Sequence, residues 1–342
     1  MIDWVTALLP CLHDPLNSGE LFKLDADGCV EWSTPCALSV TGSWDSAIQI
    51  KSSGGDGQGR ATHLRISGNP SKFLQGHNVF GSDDLRLLIL DTYVQILSSL
   101  DIHPELSDLH EVETGQYTLS RVDINYSFEL PVRSDVLQWI RAAEFTSKTR
   151  HGRPSSKGGT LYWGKSSKRW SLKAYSKGEE IAAPKHRLPD SLRDTPITPW
   201  ADNKLRIELT LRSKELIDIQ LNMAQSWDAI RVKNLFDAYV RKLDMSKQFS
   251  LSDEQLRSLP QRLKPTYLLW QSGHDPRSTL PKSTYYRHRK ELLDFGINID
   301  ILKTSDTTNV VPLLRVLEAR PASIPDWAYD LDLIHTSARS AA

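Results

Sequence analysis

The chain has 342 residues, with 42 Lys plus Arg against 42 Asp plus Glu, and is 39% hydrophobic and 25% charged. That length is enough for about two domains, each with its own core, and the composition excludes wholesale disorder. A zero net charge gives no global attraction to a polyanion, so any such partner has to be read from local charge.

Cys11, Cys29 and Cys36 are odd in number and lack zinc-type spacing, which points to a reducing compartment and to cysteines used as small buried hydrophobes. The opening MIDWVTALLP carries no basic run, and Arg86, Asp91 and Gln95 interrupt the most apolar stretch, residues 85–100. Neither a signal peptide nor a membrane span is predicted, and a soluble cytoplasmic protein is expected.

In chain order, LFKLD and CVEW flank a turn at residues 25–28, and AIQIK and THLRIS flank the glycine-rich SGGDGQG, which reads as a meander of short antiparallel strands. Ser82 is placed to cap a helix whose apolar set is Leu85, Leu88, Ile89, Tyr93, Ile96, Leu97 and Leu100, and a second helix is predicted over 134–145. Three strands with period-two alternation follow. In TLSRVDINYSFEL, Arg121, Asp123, Asn125 and Ser127 share the polar face. In WSLKAYSK it is Ser171, Lys173, Tyr175 and Lys177, and in KLRIELTLR it is Arg206, Glu208, Thr210 and Arg212. One polar sheet face, turned away from the core, is therefore expected to carry Asp123, Tyr175 and Glu208 together.

The proline-rich residues 184–199 read as a surface loop within the first domain. Helices are predicted behind Ser213 and Ser226, and Ser252 with Gln255 forms a capping box. The expected architecture is α+β, an antiparallel-sheet domain over 1–250 followed by a mainly helical, winged-helix-like domain over 251–342. In the latter, TYYRHRKELLDFGINI is expected to form a recognition helix with Ser283 at its N-cap and Gly296 behind its end. Arg287 and Arg289 would face DNA, and LKPTYLLWQSG would be the supporting helix. A basic solvated helix packing through its leucines would look the same in sequence.

Lys148, Arg150, Arg153, Lys157, Lys165, Lys168, Arg169, Lys173 and Lys177 form a stretch without acids, interleaved with Tyr162, Trp163 and Trp170. Cations neutralise phosphates and aromatic rings stack on unpaired bases, so this strip suits nucleic acid with single-stranded character; the plainer reading is a solvated hairpin. A tyrosine attacking a phosphodiester needs the phosphate charge neutralised and the leaving oxygen stabilised, as a hard cation on carboxylates does. Asp123 and Glu208 are the candidate ligands, Tyr175 the candidate nucleophile, and Lys173 and Lys177 the candidates to lower its pKa or hold phosphate. Equally, strand polar faces carry acids paired with Arg. No His-x-His pair exists, so histidine enters singly, through His63 or His77. No Walker loop or dinucleotide fingerprint is present.

FLQGHNVFGSDDL, LSRVDINYSF and NVVPLLRVLEARPASIPDW resemble the gene II replication-initiator family of filamentous bacteriophages, over nearly the whole chain. The resemblance implies an origin-specific, strand-specific nicking and closing endonuclease dependent on Mg²⁺ or Mn²⁺. It would leave a 3′ hydroxyl for the host polymerase and helicase machinery and rejoin the displaced strand. Implied partners are phage origin DNA, double-stranded and single-stranded, and further copies of the protein on that DNA. The family's tyrosine segment matches TLYWGKSSKRWSLKAYSK, which implies Tyr175 as nucleophile. Its Arg-hydrophobe-Asp and Arg-hydrophobe-Glu segments match at Asp123 and Glu208. His77 matches as a further metal ligand, while the strand carrying His63 departs from the family pattern. Two other classes stay open: a non-catalytic origin-binding regulator, and a hydrolytic nuclease that uses the carboxylates and a water.

Overall fold

Alternating sequence makes strands that bury one face, and such strands are stable only when they pair side by side. The computed structural model describes all residues except 17, 45, 150, 151, 153, 158, 246–256, 273, 296, 298, 301–315, 317–319 and 338–342. The strands are β1 (Ile2–His13), β2 (Glu20–Leu24), β3 (Val30–Pro35), β4 (Leu38–Thr41), β5 (Ala47–Ser53), β6 (Ala61–Gly68), β7 (Thr118–Glu129), β8 (Ser147–Lys148), β9 (Ser155–Lys157), β10 (Thr160–Trp163), β11 (Trp170–Ser176), β12 (Lys204–Arg212) and β13 (Asp244–Met245). Nine of them form one antiparallel sheet in the order β4-β5-β6-β1-β7-β12-β11-β10-β9. With the helices around it, this is the expected α+β class.

The apolar face of β1, β7, β12 and β11 carries Ile2, Val5, Val122, Ile124, Leu172, Ala174, Ile207 and Leu209, all buried. Helices Leu85–Ser99, Leu106–Thr114, Arg133–Thr146 and Ala229–Val240 contribute Ile89, Tyr93, Val112, Val136 and Phe236 to the same core. The expected helices are present, with their caps moved. Asp84, not Ser82, accepts from the Leu87 amide at the start of the first, while Ser82 Oγ accepts from the Asp84 amide. Asp228, not Ser226, accepts from the Arg231 amide, and Ser213 is itself the first helical residue behind Arg212. An N-cap needs an extended backbone and a side-chain oxygen, which Asp84 and Asp228 both supply, whereas Arg212 is extended but caps with no side chain. The Ser252 capping box lies outside the described residues.

The polar face is not open, as expected, but covered. Residues 69–81, the helix Lys177–Ala182 and residues 184–201 lie over it, and Val79, Phe80, Leu188, Leu192, Ile197 and Ala201 form a second apolar cluster there. The proline-rich segment is therefore a set of short helical turns with buried leucine and isoleucine, not a surface loop. Prolines set the turns, and apolar residues between them need a surface to pack on. Ala328, Leu333 and Ile334 join this cluster from near the chain's end. His77 Nε2 lies 2.8 Å from the Leu333 carbonyl, the His335 amide donates to Gln75 Oε1, and the Ala322 amide donates to the Ser127 carbonyl. Residues 322–335 thus clasp the sheet domain.

A third cluster, Leu259, Leu263, Tyr267, Trp270, Tyr285, Leu292, Ile297 and Ile299, holds helices Lys264–Gln271, Pro276–Thr279 and Lys282–Asp294 together. The last of these starts behind Pro281 rather than at Ser283, because proline's fixed φ suits a helix entry. Gly296 lies outside the described residues. Among the described residues no strand follows this helix to form a wing. The β2–β3 hairpin stands apart with Leu21, Phe22 and Trp32 exposed, and Cys29 beside its turn is exposed rather than buried. Among the described residues no helix is long and apolar enough to cross a membrane.

Candidate active site

Register converts the shared polar faces into rows running across the sheet. Tyr175, Arg206 and Ser127 form one; Lys173, Glu208 and Asn125 the next; Ser171, Thr210 and Asp123 the third. Side chains directly opposite on neighbouring strands stand about 5 Å apart at Cβ, so Tyr175, Lys173, Glu208, Asn125 and Asp123 are neighbours. The alternation placed them on one face, and the pairing brings them together. All but Lys173 are also out of water: Asp123 is 1%, Glu208 2% and Tyr175 7% exposed.

Burying carboxylates raises their pKa unless cations hold them. Burial does so for Asp123, against a two-pronged grip by Arg121, whose Nε and Nη2 lie 2.9 Å and 2.5 Å from its oxygens. Burial pushes Glu208 up to about 8, with Lys173 Nζ 2.8 Å from Oε1 partly offsetting it. Burial works against the charge on Lys173, but Glu208, Asp3 and Asp123 hold its pKa above the ordinary value. The Tyr175 hydroxyl lies 3.5 Å from Glu208 Oε2, and Lys173 Nζ lies 5.2 Å from the centre of its ring. Burial, then Glu180 and Glu208, push the phenol's pKa well above its ordinary value. The expectation that Lys173 and Lys177 lower it is therefore corrected, because burial dominates and the two carboxylates add to it.

Lys177 also leaves the basic strip. It is fully buried, donates to Asn78 Oδ1 at 2.8 Å and pairs with Glu180, so it fastens the covering segments instead of facing a ligand. Arg206, buried as well, donates to Ser127 Oγ and to the carbonyls of Asn78 and Val79. His77 is not brought to the carboxylates. Nε2 faces the Leu333 carbonyl, the Val79 amide donates to Nδ1, and burial holds its pKa down at about 4. Both nitrogens of a neutral ring are thereby engaged, and none is left for a metal. His63 faces Thr62 on β6, two strands from β7.

Sequence reasoning missed Asp3. Opposite β7, Ile2 pairs with Ile124 but Val5 with Val122, so Asp3 and Trp4 both stand against Asp123 across a bulge. The signal was an acid inside an otherwise apolar strand, MIDWVTALLP. Asp3, Asp123, Glu208 and the amide oxygen of Asn125 are all hard oxygen donors, of the kind Mg²⁺ or Mn²⁺ prefers, and Asn125 is buried with neither side-chain polar atom hydrogen-bonded. The donor chemistry fits such an ion. As the side chains stand, with Arg121 and Lys173 gripping the carboxylates, no three acidic, His or Cys groups among the described residues converge as a ready cage.

The row ending in Tyr175 borders a cleft of about 660 Å³ whose lining includes Tyr162, Lys173, Glu179, Glu180, Lys185 and His186. The β9–β10 hairpin forms one wall, and Lys157, Lys165 and Lys168 are exposed on and behind it, with Lys165 Nζ 4.6 Å over the Tyr162 ring. Lys148 is exposed as well. Arg169 is engaged by Asp218 and Glu215, and Arg150 and Arg153 lie outside the described residues. On the helix Lys282–Asp294, Arg287 is exposed, whereas Arg289 pairs with Asp300.

Residues 1–230 match the N-terminal family, and residues 251–333 the C-terminal family, of the phage replication-associated protein. The chain is similar to the replication-associated protein of Enterobacteria phage I2-2, at 49% identity over 342 residues and 99% of each chain. It is 25% identical over 322 residues to that of Enterobacteria phage M13, covering 77% of this chain and 76% of the relative. To that of Salmonella phage IKe it is 24% identical over 319 residues, covering 77% and 74%. A match that takes in both halves of the chain, with one relative nearly half identical from end to end, makes this chain a member of the replication-associated protein family of these phages.

Proposed function

We propose that this protein initiates rolling-circle replication of a filamentous phage by nicking the origin in one strand and later rejoining the displaced strand into a circle. The observation that carries this is Tyr175 beside a cleft, in a row next to Lys173 and Glu208, with the basic β9–β10 hairpin forming the cleft wall.

In this reading the Tyr175 phenol loses its proton as its oxygen bonds to the scissile phosphorus, and the bond to the 3′ oxygen breaks. A 5′-phosphotyrosyl link and a 3′ hydroxyl result. Resealing reverses the exchange: a 3′ hydroxyl attacks the same phosphorus and the phenol leaves, so phosphodiester energy is kept without ATP. A phenol whose pKa burial has raised needs a partner for its proton, and Glu208 Oε2 accepts from it at 3.5 Å. Lys173 supplies positive charge at the reacting row, and Asp123 and Glu208 are the protein's cation ligands. Mg²⁺ or Mn²⁺, when bound, neutralises phosphate charge and stabilises the leaving oxygen. Lys148, Lys157, Lys165 and Lys168 hold the strand, and Arg287 on the helix Lys282–Asp294 contributes to origin reading.

The test uses wild-type and Tyr175→Phe protein on supercoiled DNA carrying the cognate origin with Mg²⁺, read on a denaturing gel. A protein-linked 5′ end that is absent in the variant is expected. Nicking by the variant would mean water is the nucleophile, and origin binding by wild type without nicking would mean a regulator.

A further inference from the structure

Asp3 differs from the two acids beside it. Asp123 has Arg121 and Glu208 has Lys173, but among the described residues no Lys or Arg pairs with Asp3. Its Oδ1 instead accepts from two side-chain amides, Asn69 Nδ2 at 2.6 Å and Asn78 Nδ2 at 2.9 Å. Nothing among the described residues donates to Oδ2. The carboxylate is 7% exposed, with Oδ1 held by two neutral donors and Oδ2 unengaged, and it sits within the electrostatic reach of Lys173 and Arg121 without being bonded to either. Asn125, two residues along β7 from Asp123, is 1% exposed, and neither its amide oxygen nor its nitrogen has a partner. Buried polar groups are normally paired, so an orphaned amide next to an acid with one oxygen unengaged marks a place made for something the protein itself does not supply.

We propose that Asp3 and the Asn125 amide oxygen are ligands of the divalent cation, so that the site spans β1, β7 and β12 and includes residues beyond Asp123 and Glu208. This rests on the cation-dependent reading above and extends it. Each new ligand has a reason for its position. The bulge between Ile2 and Val5 brings Asp3 against Asp123, and the β7–β12 register sets Asn125 against Glu208. A 2+ ion there satisfies Asp3, pairs the Asn125 oxygen, and competes with Arg121 and Lys173 for the other two carboxylates, which leaves those cations free to turn to phosphate. Asn69 and Asn78 become positioning residues, holding Asp3 through Oδ1 so that Oδ2 faces the site.

The experiment is titration of the full-length protein with Mn²⁺ alone, without DNA, following free Mn²⁺ by electron paramagnetic resonance. Wild type is expected to bind one strongly held ion, and Asp3→Asn and Asn125→Leu each to weaken it at least about tenfold, since losing a charged or direct ligand lowers cation affinity by that order or more. Asp27→Asn, an exposed acid in the turn between β2 and β3 and outside the cluster, leaves affinity unchanged. Thermal melts in the absence of Mn²⁺ establish that the variants fold, and the two substitutions serve as independent tests if one of them does not. Wild-type affinity in Asp3→Asn and Asn125→Leu would overturn this proposal while leaving Asp123 and Glu208 as ligands. No binding by wild type would overturn the cation-dependent reading itself.

Discussion

The two sides of the central sheet are both covered, yet they are built on opposite terms. On one side Val122, Ile124, Ile207 and Leu209 meet helices, and burial is the driving force. On the other, Asp123, Glu208, Arg206 and Asn125 are buried, with Lys173 reaching the cleft, and burial there is a cost that ion pairs and hydrogen bonds only partly offset. Strain of that kind is tolerated where chemistry needs it, because a water-poor setting strengthens every charge that acts on a substrate. On the proposed reading the apolar side serves stability and the polar side reactivity, so substitutions on the two should separate in their effects.

The largest separation is expected at Tyr175. Tyr175→Phe should lower origin nicking by roughly 10⁴-fold or more, as removal of a nucleophile does, with a melting temperature close to wild type. Equal loss of nicking and of stability would break the comparison. The reverse case is Leu209→Ala on the apolar side of β12, which should cost about 2–5 kcal/mol in chemical unfolding, while Glu208→Gln one residue away should abolish nicking without a comparable loss.

Acid and base should act on the two sides of the cover with opposite sign. Glu208 is raised from 4.5 to about 8, so the folded protein binds its proton more tightly than the unfolded chain does, and the associated stability is present in acid and lost as pH rises through about 8. His77 is lowered from 6.5 to about 4, so its contribution is present above pH 6.5 and lost as pH falls through about 4. Melting curves across pH 4 to 9 check both: Glu208→Gln should remove a fall in stability between about pH 4.5 and 8, and His77→Gln a rise between about pH 4 and 6.5. The smallest effect is expected on the strip, where Lys165→Ala with Lys168→Ala should reduce the salt dependence of DNA affinity by a slope of about two and leave stability unchanged.

Much of this arrangement was legible in sequence. The alternation around Asp123, Tyr175 and Glu208 fixed which residues share a face, because a period of two admits only two faces. It carried no information about what lies over that face, since the cover comes from residues 69–81, 184–201 and 322–335, whose apolar residues follow no regular period. Asp3 was hidden for a related reason: a bulge breaks the alternation at the point where it aims the acid. Lys177 and Arg206 look like surface cations in any one-dimensional reading, and their burial depends on Asn78, Val79 and Glu180, which are distant or unremarkable in sequence. His77 shows the same limit, because its partner at Leu333 is 256 residues away in the chain.

The clasp of residues 322–335 sets an order of events during synthesis. Domains fold largely from the N-terminus as the chain emerges from the ribosome, so the nine-stranded sheet can pair while the last third is still being translated. The loop carrying His77, Asn78 and Val79 cannot reach its final packing until Leu333 and His335 arrive, because they bond to His77 and Gln75. That loop holds Asp3 and Arg206. On the proposed nicking reading, a nascent chain would therefore stay catalytically incomplete until residues 333–335 have been made and have left the ribosome, even with every reacting residue already in place.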